Sequence, residues 1–245
     1  MDRMIYLAMS GAKAMEERQN ALANNLANAS TDAFRADMAA FRSVPVRQEG
    51  TATSRVFALE ATTGFDTTSG PIRQTGRPLD AAIRGPGWFV VQSAQGDEAM
   101  TRDGAFEIDA DGVLVTRRGM PVLGDGGPIT VPPNSQVLIG TDGTISTRTG
   151  TEPPVQAGRL RLVNPAAGEL VKGQDGLVRT RDGIPPAEDQ QVTVVDGALE
   201  GSNVNVVESM VGMIQLARQF EMQMQLMRNA ETNDQRAAQL LGSGN

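Results

Sequence analysis

The chain has 245 residues, 22 basic against 29 acidic side chains for a net charge of −7, seven Phe, one Trp, one Tyr, and neither His nor Cys. Without imidazole or thiol there is no Cys/His zinc site, no Ser-His-Asp triad, no Cys nucleophile and no disulfide. The acidic balance argues against phosphate-driven nucleic-acid binding, and no run of about 18 apolar residues is available to insert in a membrane.

The chain opens with a stretch, Met1 to Lys13, that lacks the basic and then apolar regions of an ordinary secretory signal. The first predicted element is a helix with a mostly apolar seam spaced three and four apart: Ile5, Ala8, Ala12, Met15, Gln19, Leu22 and Leu26. Asn24, Asn25 and Asn28 surround the end of this seam. They are either solvated helix residues or polar groups that fix the register between packed helices.

A turn-rich centre follows. All 13 Pro lie between Pro45 and Pro186, and 23 of the 27 Gly lie between Gly50 and Gly201. Both residues are costly in helices, so this block is expected to be β. Its apolar runs are the predicted strands: 88–91, 113–115, 137–139, 160–163 and 192–195. Seven Asp-Gly pairs, at Asp103, Asp111, Asp125, Asp142, Asp175, Asp182 and Asp196, punctuate them as tight turns. The block 46–202 also carries most of the acidity, 14 bases against 20 acids.

The last predicted element is a helix from Val206 to Leu241, about 54 Å long at 1.5 Å per residue. Asn205 is positioned to cap it, with Glu208 three residues later as in a capping box. Its seam reads Val206, Met210, Met213, Ala217, Phe220, Met224 and Met227, continuing through Glu231, Asp234, Ala238 and Leu241. Val207, Val211, Ile214, Leu216 and Leu226 lie off this seam, more apolar surface than one partner helix covers. Such stripes point to association. The expected fold class is α+β. Residues 1–42 and 203–245 form a discontinuous domain of coiled-coil-like terminal helices, and residues 43–202 form a mostly antiparallel β-rich domain.

Other chemistry is weakly signalled. The stretch Asp109-Ala110-Asp111-Gly112 lacks the ligand spacing and terminal Glu of a calcium loop, so it is read as a turn. The clustered Asp103, Glu107, Asp109 and Asp111 leave open a carboxylate-only hydrolase of an envelope glycan, which would need paired carboxylates in a cleft and sugar-stacking aromatics. A stand-alone binding module is a third alternative. No phosphate-binding Gly-rich motif is present. No catalytic, cofactor or metal residue is assigned.

Four blocks in order carry a family resemblance. They are Asn24-Asn25-Leu26-Ala27-Asn28-Ala29-Ser30-Thr31-Asp32-Ala33-Phe34-Arg35, then Gly76-Arg77-Pro78-Leu79-Asp80 with Ile83-Arg84-Gly85-Pro86-Gly87-Trp88-Phe89, then Thr101-Arg102-Asp103-Gly104-Ala105-Phe106, then Leu199-Glu200-Gly201-Ser202-Asn203-Val204-Asn205. With Met213, Ile214, Arg218, Phe220 and Glu221, they resemble the flagellar rod, hook and hook-associated family. The proximal rod members are nearest, through Asp2 to Tyr6, Phe41 to Val46 and Phe220 to Met224. The distal rod members are the near alternative.

The resemblance implies a non-catalytic subunit of the basal-body rod, a torque-transmitting tube that crosses the periplasm. Its terminal helices would pair in an inner layer with the β block outside. Its implied partners are itself, other proximal and distal rod proteins and, transiently, the flagellar type III export apparatus, with no cleaved signal peptide. The expected assembly residues on the first flank are Ile5, Met15, Leu22, Asn24, Asn25, Leu26, Asn28 and Phe34. On the second they are Ser202, Asn203, Val204 and Glu208, then Met210, Met213, Ile214, Ala217, Arg218, Phe220, Glu221, Met224 and Met227. Two departures stand out. Ala33 replaces the family's usual Gly, which would favour helix across this point, and Val206 stands where relatives often have Pro.

Overall fold

The computed structural model describes residues 2–45 and 56–242, with side chains over 11–38 and 64–229 and at Met9 and Thr232. The fold is α+β. It begins with α1 (Asp2–Ala27), followed by the paired strands β1 (Asp37–Pro45) and β2 (Val56–Phe65). Short strands β3 (Ile72–Gln74) and β4 (Ala81–Arg84) come next. β5 (Trp88–Gln92) pairs with β6 (Glu98–Thr101), β7 (Phe106–Ile108) with β8 (Leu114–Thr116), and β9 (Leu123–Gly124) with β10 (Gly127–Pro128). β11 (Gln136–Ile139), β12 (Thr144–Arg148) and β13 (Val155–Arg159) form a meander. β14 (Leu162–Val163), β15 (Leu170–Lys172), β16 (Val178–Thr180), β17 (Thr193–Asp196) and β18 (Ala198–Glu200) lead into α2 (Val206–Gly242).

The chain divides into two compact units. One holds α1, β1, β2 as far as Gly64, and α2. The other holds residues 28–36 and 65–204. The β1–β2 pair therefore joins the helices, and the segment that follows α1 joins the β-rich unit.

In the β-rich unit the largest sheet has the order β14-β5-β6-β16-β15, with antiparallel neighbours. β5 explains why its sequence reads as an unbroken apolar run. Phe89 and Val91 belong to one buried cluster with Phe106, Leu114 and Ile145, while Trp88 and Val90 belong to a second with Met100, Val163 and Leu170. A strand covered on both faces has no polar alternation. Phe89 and Phe106 meet edge to face at 5.3 Å. Each of the five predicted apolar runs falls on a strand, with ends shifted by one or two residues.

Gly112, Gly143, Gly176, Gly183 and Gly197 of the Asp-Gly pairs take positive φ, the conformation that tight turns require of them. Gly104 is needed for a different reason. Its carbonyl accepts the Ala81 N–H at 2.9 Å, and a Cβ there would overlap the Ala81 carbonyl. Asp109 Oδ1 accepts the N–H groups of Asp111 and Val113 at 3.0 and 2.7 Å, which makes its loop an Asx turn.

Helix α1 does not continue across Ala33. It ends at Ala27, and Ala33 takes φ +61° despite its Cβ. The left-handed conformation costs an L-residue about 1–2 kcal/mol. The opposing gain is tertiary: the Ala33 N–H donates to Glu200 O at 2.7 Å. At the other end Val206 starts α2 without Pro, and Asn205 Oδ1 accepts the N–H groups of Val207 and Glu208 at 3.1 and 3.2 Å as an N-cap.

Candidate assembly interface

Alanine, leucine and methionine favour helix in both flanks, so a glycine inside either helix marks a site where something else approaches. A methyl group added at Gly212 of α2 would lie 3.1 Å from Leu22 Cδ1 of α1, and one at Gly11 would lie 3.1 Å from Gln223 Nε2. Moving eleven residues forward on α1, from Gly11 to Leu22, moves eleven residues back on α2, from Gln223 to Gly212. The two helices touch here in antiparallel sense, and eleven residues are three turns.

This geometry sorts the faces of α2. Ser209 and Leu216 are buried, and Gly212, Met213, Gln223, Met224 and Met227 are half-buried. The buried line follows the expected seam only in part: Met213, Met224 and Met227 lie on both, but Leu216, read as off the seam, is 4% exposed, whereas Phe220 is 42% exposed. On the opposite side of the helix, about half a turn away at 100° per residue, Val207, Val211, Ile214 and Met222 are exposed. Met210, Ala217, Arg218, Glu208 and Glu221 are exposed as well. On α1, Met15, Leu22 and Leu26 are half-buried and Gln19 is exposed. Ile5 lies in α1, with its side chain outside the described residues.

Among the described residues, Asn24 and Asn25 bond to β1 and Asn28 to the turn that follows α1. Asn25 is buried and binds the backbone of Asp37 in β1 twice, donating to its carbonyl at 2.9 Å and accepting its N–H at 2.7 Å. Asn24 Nδ2 donates to Asp37 Oδ2 at 2.5 Å. The carboxamide reproduces the donor–acceptor pair of a backbone amide, which is why it suits the start of a strand. Asn28 Oδ1 accepts the Thr31 hydroxyl at 3.2 Å.

The remaining motif residues are engaged inside the β-rich unit. Asn203 Oδ1 accepts the Ala36 N–H at 2.8 Å, and its Nδ2 donates to the carbonyls of Asp66 and Thr68 at 3.1 and 3.0 Å. Ser202 Oγ accepts the Val204 N–H at 3.2 Å. Lys172 Nζ sits 4.1 Å from the Phe34 ring centroid and donates to Arg35 O at 2.9 Å.

A buried charge cluster lies beside them. Glu200 Oε1 accepts from Arg35 Nη2 at 2.7 Å and from the Gly70 N–H at 2.7 Å, and its Oε2 accepts from Arg102 Nη1 at 3.1 Å. Arg102 Nη2 also donates to Gly85 O at 2.6 Å. All three side chains are at most 2% exposed. Both guanidinium groups lie over Trp88, at 5.7 and 5.5 Å from the ring centroid. Burial pulls Arg102 down to about 10 against the opposing attraction of Glu200, and Arg35 adds like-charge repulsion. The sequence gives little sign of this cluster, because Arg and Glu are ordinarily exposed.

Three family models match the chain in order. The flagella basal body rod protein model covers residues 5–35, the flagellar hook protein FlgE/F/G D1 domain covers 82–147, and the flagellar basal body rod FlgEFG protein C-terminal model covers 195–240. The flagellar basal-body rod protein FlgF of Salmonella typhimurium is 44% identical over 98% of this chain and 99% of its own length. The chain belongs to the flagellar basal-body rod family. FlgF of Escherichia coli is 43% identical over the same shares, and the rod protein FlgG of Buchnera aphidicola subsp. Schizaphis graminum is 32% identical over 96% of this chain and 98% of that one. The rod-family chain is thus more similar to these FlgF proteins than to this FlgG, and its role is that of a structural rod subunit. Arg35, Arg102 and Glu200 come one from each of the three matched segments, so the buried cluster is where the three parts of the family pattern meet.

Among the described residues no helix is long and apolar enough to cross a membrane, and no group of three or more Asp or Glu is placed to hold a metal ion.

Proposed function

We propose that this chain is a proximal-rod subunit that joins copies of itself and neighbouring rod proteins through α1 and α2. In this reading α1 and α2 pair in a coiled-coil-like layer at the rod axis, in the periplasm, after passage through the flagellar export apparatus without a cleaved signal, and the β-rich unit performs no catalysis. The observation that carries the reading is the two-sided character of α2. One side meets α1 at Gly212 and Gln223, while Val207, Val211, Ile214 and Met222 on the other side are 47–70% exposed. Exposed apolar rows on a helix of this length mark association. Contacts between unlike patches do not close, and so they propagate a helical tube.

In this proposal the expected interface residues divide by task. Met210, Ile214, Ala217, Arg218, Phe220 and Glu221 face neighbours, whereas Leu22, Met213, Met224 and Met227 serve the α1–α2 contact. The test is Ile214→Asp in cells that depend on this chain for flagella. The variant monomer is expected to fold and be exported, and to be missing from purified basal bodies. Normal incorporation would overturn the assignment.

A further inference from the structure

We propose that residues 28–36 form a releasable strap on the β-rich unit, with Arg35 as its weak anchor, so that this segment opens while the β core stays folded. The inference concerns the β-rich unit alone and stands whether or not the helices assemble as proposed. It rests on a charge count. With the strap docked, two guanidinium groups share one carboxylate in a site closed to solvent.

The two arginines are not equivalent. Arg102 is held by Glu200 Oε2 and by Gly85 O. Arg35 makes one side-chain hydrogen bond, to Glu200 Oε1, while its Nε and Nη1 are buried without an acceptor. If Arg35 leaves, Glu200 and Arg102 remain as a neutral pair. Oε1 keeps the Gly70 N–H, Oε2 keeps Arg102, and Arg35 recovers water for three nitrogens. Removing one partner from a buried ion pair is ordinarily damaging because it strands the other. Here nothing is stranded.

Most of the remaining docking consists of hydrogen bonds that water can replace: Ala33 N–H to Glu200 O, Asn203 N–H to Phe34 O, Asp66 N–H to Ala36 O, Ala36 N–H to Asn203 Oδ1 and Lys172 Nζ to Arg35 O, with an exposed ion pair between Arg73 and Asp32. Two ring contacts add to them, Lys172 over Phe34 and Arg35 over Trp88. Against them stands the left-handed Ala33, whose strain opening would relieve. The base of the strap stays closed, because Asn25 holds Asp37 through its own two bonds. Opening therefore yields a nine-residue loop of fixed ends and leaves both buried clusters of the β-rich unit in place.

The test is native-state hydrogen exchange on the full chain as dilute monomer. The amides of Ala33 and Ala36 are compared with those of Val90 and Leu114, which are buried and bonded to Arg161 O and Ile129 O. In the wild type the strap amides are expected to exchange at least about 100-fold faster than the core pair. Arg35→Met keeps the bulk and drops the charge, and is expected to slow Ala33 and Ala36 about tenfold with Val90 and Leu114 unchanged. Arg35→Leu is the second variant, expected to act in the same direction. Glu200→Gln leaves two buried cations facing no carboxylate, and is expected to speed strap exchange about tenfold or more. Equal exchange of strap and core in the wild type would overturn the proposal, and that comparison needs no variant to fold. Faster strap exchange in both Arg35 variants would also overturn it, as would unchanged exchange in Glu200→Gln.

Discussion

Asn203 separates an internal clasp from an intermolecular contact. Its carboxamide ties three segments, through Ala36 N–H at 2.8 Å, Asp66 O at 3.1 Å and Thr68 O at 3.0 Å. A protein hydrogen bond contributes about 1 kcal/mol net, so Asn203→Ala would cost about 3 kcal/mol if all three partners were left dry. Asn203 is half-buried, so water reaches part of the vacated space, and a loss of about 2 kcal/mol is expected. At about 2–4 °C per kcal/mol for a chain of this size, the unfolding midpoint should fall by about 4–8 °C. Trp88, the single tryptophan and 4% exposed, reports unfolding of the β-rich unit by fluorescence in urea. Asn203→Asp keeps the acceptor for Ala36 but turns a carboxylate oxygen toward two carbonyls, so it should not rescue stability. An alanine variant within about 0.5 kcal/mol of wild type that nonetheless fails to enter basal bodies would refute the clasp and make Asn203 an interface residue.

The two faces of α2 should respond differently. Leu216→Ala is expected to cost about 2–4 kcal/mol in the thermal loss of helical circular dichroism, while Ile214→Asp stays within about 0.5 kcal/mol; equal effects would contradict the facing. Gly104→Ala should cost about 4 kcal/mol or more because of the Ala81 carbonyl, against about 1 kcal/mol for Gly96→Ala, which has positive φ but open space around it. Urea midpoints of the two variants make the comparison. Burial raises the Asp103 carboxyl above its ordinary 3.8, so the native state holds this proton more tightly than the unfolded chain does. Ionised Asp103 therefore subtracts stability above its raised pKa, and the deficit fades as pH falls through that value toward 3.8. Asp103→Asn, which keeps an acceptor for the Ala105 N–H, should be more stable than wild type at pH 7 with a smaller advantage at pH 4. An advantage that grows on acidification would exclude the burial explanation.

Helix at the ends and β structure between them were legible because they rest on local physics. Gly and Pro disfavour helix wherever they occur, Asp-Gly makes turns through its own backbone, and Asn205 caps α2 with atoms two and three residues away. The apolar spacing located α2 to within a residue of its observed end. It did not determine which line of α2 would be buried, since Val207, Ile214, Leu216 and Phe220 are all apolar and helical periodicity alone does not choose among overlapping stripes. Gly11 and Gly212 were the available sign, as interruptions that local propensity does not explain.

Family motifs picked out Asn24, Asn25, Phe34, Ser202 and Asn203 without indicating their tasks. Asn25 turned out to serve the start of β1 and Asn203 to serve the two connectors, bonds that join residues 12 and more than 130 positions apart. The course of the chain at Ala33 was equally out of reach. Local preference there favours helix, and only the carbonyl of Glu200, far along the chain, makes a left-handed alanine worthwhile. The sequence by itself determined the class of each segment, the family pattern and the absence of His and Cys chemistry, because these depend on residues and their near neighbours. Tertiary structure alone decided which α2 face is buried and that Arg35, Arg102 and Glu200 converge over Trp88. Those outcomes depend on desolvation and hydrogen-bond partners supplied by distant parts of the chain.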